Sequence, residues 1–390
     1  MQKVILALIM FGIWSSGQSQ TVDAAEESAN AALQYWLAFS LCPHESEIVS
    51  AATTDNEKYG FAIPVSQELA QHFQGEGELA LKCLYRGTQL SRCEWGTDLR
   101  RDGPINGGEA PYGQRAHELA RIALLRARWR FEHGDWDAGI DDVIATMVLG
   151  RHIGRDKIGF NVHFGCMLTG MSTGTVAVYL PQMPAQARER LARQLESLPP
   201  ATSMREVILN HEKSLDWAIE NFRKAEDKGQ LHAMLVSISS QEYADKAFKY
   251  ASDAAGLIKL AEAARPLVHQ LADAMSLRPD EYDRVFKERF APQLDANPIA
   301  EILGSWYEVA RDEEATAHCR VVFVQTAIDV LRRGEIALKD HPDPYGDGPF
   351  EYTPFGGGFQ LGSSLVYGDL QIQMDFGLRK NSGLSKAEPE

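Results

Sequence analysis

Residues 342–349, inside the stretch "DHPDPYGDGPFEY" at 340–352, hold three prolines and two glycines and divide the chain into two regimes. Proline removes a backbone donor and fixes φ, and glycine opens left-handed conformations, so no regular helix runs through such a segment. Before it, apolar residues recur at three- and four-residue spacing, as amphipathic helices require. After it, "FEYTPF", "GGFQLGS" and "DLQIQMDF" alternate apolar and polar residues, as half-buried strands do. The expected fold class is mainly α: an irregular multi-helical body of helix hairpins, closed by a small C-terminal antiparallel β-meander packed on a long helix.

The helical part can be read segment by segment. A first helix is expected over about Asp23–Leu41, with Leu33, Trp36, Leu37 and Leu41 on its buried face and Pro43 ending it. Val65–Phe73 and Glu76–Leu90 make two short helices. Cys93–Gly113 is too rich in Gly and Pro to be regular, and reads as a surface loop pinned by Trp95. Because loops carry function more often than core does, Trp95, Asp98, Arg100 and Arg101 are binding candidates. Ala116, Ala120, Ala123 and Ala127 line one helix, the chain turns at "EHGDWDAG", and Ile140, Val143, Ile144, Met147 and Val148 line the next. From Ser203 to Ile336 the pattern stays helical. Ile208, Leu215, Ala218, Ile219 and Phe222 hold one face there, and Val321, Val324, Ile328 and Leu331 another, with Gly334 placed to stop the helix. The expected organisation is 1–17 leader, 18–200 N-terminal helical domain, 201–336 long-helix region, 337–380 β-meander and 381–390 flexible tail.

Lys and Arg number 39 against 54 Asp and Glu, a net charge of −15 that repels phosphate backbones, so nucleic acid is not an expected partner. Lys3, the apolar run Val4–Trp14 and Ser15-Ser16-Gly17-Gln18 follow the order of a cleavable signal peptide. The run is too short to span a ~30 Å hydrocarbon core. A secreted or periplasmic location is expected, with cleavage after Gly17. In such an oxidising compartment Cys42, Cys83 and Cys93 allow one bridge, and Cys83–Cys93 is the expected pair, folded together by a turn at Gly87. Cys166 and Cys319 read as inert core residues.

Ile158–Leu180 contains no Asp, Glu, Lys or Arg, and Gly170 and Gly174 are spaced as in a membrane helix contact. Asn161, His163 and the threonines and glycines of the stretch instead favour a buried helix of a soluble core, so no integral membrane segment is expected in the mature chain. "GMSTG", Gly170–Gly174, matches the G-x-S-x-G elbow of serine hydrolases, which makes Ser172 a nucleophile candidate and His211 a candidate base. That elbow needs a strand before it, whereas the flanks here read as helix. His163 and Cys166 could share a helix face, but no HExxH or paired CxxC occurs, and neither metal nor cofactor is expected. Arg115, Arg121, Arg126, Arg128 and Arg130 form a basic stripe, expected to pair with Asp135, Asp137, Asp141 and Asp142 across the hairpin.

Gly134, Trp136, Gly139 and Thr146 match the second half of a tetratricopeptide-like helix pair, of which the chain holds one unit. A long helix followed by "DPYGDGPFEY", the hairpin "FGGGFQLGSS" and a closing strand resembles the C-terminal layout of type II secretion pseudopilins. The N-terminal run lacks their prepilin cleavage pattern and no acidic calcium loop follows Gly368, so pilus assembly is not implied. Through "NAALQYWLAF", "CEWGTDL", "ARWRFEHGDWDAGIDDV" and this tail, the whole chain resembles a set of uncharacterised secreted bacterial helical proteins. These resemblances imply a helical envelope protein without implying an activity. The functional expectation is a non-catalytic scaffold that binds a peptide or protein partner in the cell envelope, the alternative being a serine hydrolase built on Ser172.

Overall fold

The structure, a computed structural model, describes residues 30–43, 64–103, 111–304 and 307–379, so the expected leader 1–17 and tail 381–390 lie outside the described residues. Sixteen α-helices and three strands follow one another within those limits. The first, α1 (Ala31–Leu41), is capped by Asn30, whose side chain accepts from the Ala32 amide. Only Gln34 and Ser40 are polar in it, so its sequence has no polar face to turn outwards. Packing therefore chooses the buried side, and the choice opposes the expected one. Ala31, Ala32, Tyr35, Ala38 and Phe39 are buried, whereas Leu33, Trp36, Leu37 and Leu41 are exposed. The small alanines let α1 lie close to a neighbour, and Gly87 of that neighbour leaves room for the Tyr35 ring.

That neighbour is α3 (Glu76–Thr88), reached through α2 (Gln67–Gln74), with a four-residue α4 (Leu99–Asp102) inside what the sequence presents as an irregular loop. The segment after α3 is drawn to the start of α1: Asn30 bridges to Arg92, and its side chain joins the Glu94 backbone in both directions. This placement sets Cys93 beside the amide of Ala32. Cys83 and Cys93 are consequently both free and buried, and the expected Cys83–Cys93 bridge is not formed.

The hairpin of α5 (Pro111–Glu132) and α6 (Trp136–Ile153) follows the sequence closely. Ala116, Ala120, Ala123 and Ala127 are all fully buried, as are Ile140, Val143 and Met147. Gly134, at φ 76°, makes the left-handed turn between the two helices. The basic stripe, however, pairs selectively. Arg126 and Arg130 converge on the wholly buried Asp142, while Arg128 lies 3.8 Å from Glu132 and Arg115 binds Glu118. Asp137 and Asp141 pair instead with Arg190 of α8 (Ala185–Glu196). The charge-free segment forms α7 (Gly159–Tyr179), a helix whose small residues let α6 approach it: a Cβ on Gly165 would sit 2.7 Å from the Gly150 carbonyl. No described helix is long and apolar enough to cross a membrane.

A second cluster is built from α9 (Met204–Lys224), α10 (Lys228–Ile238), α11 (Gln241–Tyr250), α12 (Ala254–Ala274), α13 (Pro279–Val285), α14 (Ala291–Ala296) and α15 (Pro298–Gly304), with one π turn at Phe286–Phe290. Ser203 and Glu206 form a capping box at the start of α9, and Ile208, Leu215, Ala218, Ile219 and Phe222 are buried along it. The long α16 (Tyr307–Arg333) then returns to the first half of the chain and packs along α7. Gly334, at φ 76°, ends it.

The proline-rich stretch resolves into a turn organised by Asp343. Its amide donates to the Gly348 carbonyl, and its carboxylate accepts from the Tyr345 and Ser364 amides and from Ser363 Oγ. The prolines supply bends and Asp343 satisfies the donors those bends expose, which is why a helical chain can change regime within ten residues. The meander β1 (Glu351–Phe355), β2 (Gly358–Tyr367) and β3 (Leu370–Phe376) runs in antiparallel order 1-2-3, pairing Phe359 with Phe376 and Leu361 with Met374. Phe359, Leu361, Met374 and Phe376 point inward, and Phe323 of α16 meets Phe350 at 4.7 Å, so the sheet lies on the long helix. The Gly377 amide ties the end of β3 to the Ala177 carbonyl of α7.

Candidate functional site

Where α7 and α16 diverge under the edge of the sheet they leave a cleft of about 450 Å3. Its walls follow helical spacing: His163, Cys166, Met167, Gly170 and Met171 from α7, and Glu313, Thr316, Ala317 and Arg320 from α16. Tyr367 and Ile372 close it from β2 and β3. The apolar wall comes from Met167, Met171 and Ile372, and Gly170 lets Arg320 reach the floor, since a Cβ there would stand 2.6 Å from its Nη1. A smaller cavity of about 330 Å3 adjoins it, sharing Cys166 and Ala317 and bounded by Arg151, Glu314 and residues 198–202.

The charges in the cleft are unequally matched. His163 Nδ1 lies 2.5 Å from Glu313 Oε2, and this hydrogen bond raises the imidazole above its ordinary value. Among the described residues Arg320 has no such partner: its Nε is buried without a hydrogen bond, and burial lowers the pKa of its guanidinium. Thr316 Oγ1, one helical turn before it, is likewise buried without a partner. Burial pushes the Cys166 thiol up to about 12, with Glu314 and Glu313 adding to the effect. A nucleophilic cysteine requires the opposite shift, so Cys166 is a wall rather than a reagent.

Of the residues singled out from the sequence, His163 and Cys166 line the cleft, and the nucleophile, base and loop candidates lie elsewhere. Ser172 is wholly buried in the middle of α7, and its Oγ has no hydrogen-bond partner, so no histidine stands within reach to activate it. The flanks of "GMSTG" are helical, as the sequence reads, and the strand that a G-x-S-x-G elbow needs does not precede it. His211 lies half-buried on α9, where burial pushes it down to about 4 and so keeps it neutral near pH 7. It does not meet Ser172. Trp95 stacks on Tyr112 at 4.3 Å and donates from Nε1 to the His152 carbonyl. Asp98 caps α4, Arg100 faces Asp216 at 3.4 Å, and Arg101 pairs with Asp102, so all four loop candidates have intramolecular partners. His163 and Cys166 do share a face, but His163 is held by Glu313, and no cluster of metal-ligating side chains occurs among the described residues.

Sequence reasoning overlooked Thr316 and Arg320. Their signal was available: two polar residues one turn apart on a helix whose next residues, Val321–Val324, are apolar. What the sequence did not show is that this stripe would face a charge-free helix. No protein-family model, curated protein or solved structure matches the chain.

Proposed function

We propose that this chain is a non-catalytic helical binding protein of the cell envelope or the secreted fraction, and that a peptide or protein partner inserts part of its chain into the α7–α16 cleft. One observation carries the reading: the cleft combines an apolar wall of Met167, Met171 and Ile372 with hydrogen-bonding groups that have no partner, and it presents no activated nucleophile among the described residues. Methionines adapt their shape to irregular ligands, which suits recognition of a side chain or chain end. The volume is within the roughly 300–1,000 Å3 range of small-ligand sites, too small for a folded domain and sufficient for a short segment. The tetratricopeptide-like α5–α6 hairpin and the pseudopilin-like tail support the same reading, since both resemble parts of proteins that work by association. The N-terminal Lys3 followed by the apolar run Val4–Trp14 supports the compartment.

The test is photo-crosslinking in living cells, with benzoylphenylalanine placed at Met171 or Tyr367 and, as control, at the exposed Lys224 of α9. Discrete adducts to another protein from the cleft positions, absent from the control, are expected. Equal background at all three would remove the reading. Labelling of the purified protein by a fluorophosphonate, lost in Ser172→Ala, would replace it with the hydrolase.

A further inference from the structure

The most unusual feature of the cleft is that its polar floor is unfinished. Thr316 and Arg320 are four residues apart on α16, so their side chains emerge on one face. Thr316 Oγ1 and Arg320 Nε are both buried, and neither has a hydrogen-bond partner. Leaving such groups unsatisfied is costly, and more so for a charged group. Among the described residues the one cleft-lining carboxylate, Glu313, is engaged by His163, and Arg320 has no counter-ion. Gly170 is what permits the arrangement, because any larger residue would meet the guanidinium.

We infer that the cleft receives a carboxylate borne on an apolar body, with the Arg320 guanidinium and the Thr316 hydroxyl binding the carboxylate and Met167, Met171, Tyr367 and Ile372 enclosing the rest. This inference rests on the binding reading above and specifies its ligand. The planar guanidinium matches a carboxylate bidentately, and the hydroxyl adds a donor beside it. The cavity of about 450 Å3 accepts a C-terminal residue with its neighbour, or a medium-length acyl chain. The chain's net charge of −15 does not oppose this, because at physiological salt charges more than about 8 Å away are largely screened and the local field at Arg320 prevails. The same chemistry has two sources, the free C-terminus of a peptide and a fatty acid, and a single set of titrations separates them.

The probes are hexapeptides ending in an apolar residue, prepared as free acids and as C-terminal amides, together with dodecanoate, titrated calorimetrically into the full chain. Variants are Arg320→Met, Arg320→Lys, which keeps the charge and loses the fork, and Met171→Trp, which fills the cavity. Binding of the acids at least tenfold tighter than the amides is expected, with that preference abolished in Arg320→Met, reduced in Arg320→Lys, and all binding lost in Met171→Trp. A charge-assisted contact worth about 1.5–3 kcal/mol corresponds to roughly 10- to 150-fold in affinity. Amides that bind as tightly as acids, or acids unaffected by Arg320→Met, overturn the carboxylate inference while the binding reading stands. Dodecanoate binding that depends on Arg320, with no peptide binding, upholds the inference and overturns the peptide partner. Absence of binding by every probe overturns the inference.

Discussion

Asp141 and Asp142 are neighbours of identical type on α6, and the structure predicts that their removal has very different consequences. Asp142 is fully buried and accepts from Arg126 Nε at 3.0 Å and Nη2 at 2.6 Å, from Arg130 Nη1 at 2.8 Å and from the Tyr85 hydroxyl at 2.6 Å. Arg126 is itself buried, so Asp142→Ala strands a cation that water cannot reach. Breaking a buried pair in this way costs about 3–5 kcal/mol. Arg130 retains some access to solvent and contributes less. Asp141 meets Arg190 at 2.6 Å but is well exposed, with 39% of its side-chain surface accessible, and such a pair is worth about 0–1 kcal/mol. Urea unfolding followed by tryptophan fluorescence therefore separates the two variants by about 2–5 kcal/mol. A double variant, Arg126→Leu with Asp142→Leu, recovers part of the loss, because the buried guanidinium goes with its carboxylate and only Arg130, which reaches solvent, loses its partner. If Asp142→Ala lies within about 1 kcal/mol of Asp141→Ala, the buried network does not exist as described.

Three further outcomes follow from the same geometry. His152 is 1% exposed and bonded to the Tyr35 hydroxyl at 2.8 Å, and burial, then Arg155, push it down to about 4. The unfolded chain takes up that proton near pH 6.5, so the stability is complete above that pH and is lost as pH falls toward 4, by roughly 3 kcal/mol in all. Urea midpoints measured from pH 7 to 4.5 should drop more steeply for the wild type than for His152→Gln, and parallel curves would refute the assignment. Gly165→Ala presses a methyl onto the Gly150 carbonyl and should destabilise by about 1–3 kcal/mol, whereas Gly174→Ala, with nothing within 4 Å, should stabilise by about 0.5–1 kcal/mol. Thermal melts of the two variants moving in the same direction would contradict the packing. All five cysteines are free, so alkylation after unfolding without reductant should modify five thiols, and the folded protein should react slowly because burial raises Cys42 to about 11 and Cys93, Cys166 and Cys319 to about 12. Fewer than five modified thiols in the unfolded chain would show a bridge.

The amino-acid order by itself determined where helices run, where they stop and where the chain turns to strands. The alanine stripe of α5, the apolar stripe of α9, the turn at Gly134, the stop at Gly334 and the change of regime at 342–349 are all local patterns, set by backbone geometry within a few residues. Tertiary structure decided the rest. It chose the Tyr35 side of α1 over the Leu33 side, because a helix apolar on every face has no intrinsic preference. It set Cys93 beside Ala32 and left it and Cys83 free, selected Asp142 over Asp141 as partner of Arg126 and Arg130, and buried Ser172 in α7. The cleft belongs wholly to this second category. Gly170 and Arg320 are 150 positions apart in sequence, and only the packing of α7 on α16 brings the space left by one to the charge of the other. Periodicity records which face of an element is apolar. It carries no information on which distant face will meet it, and that meeting creates the unpaired guanidinium on which the functional reading depends.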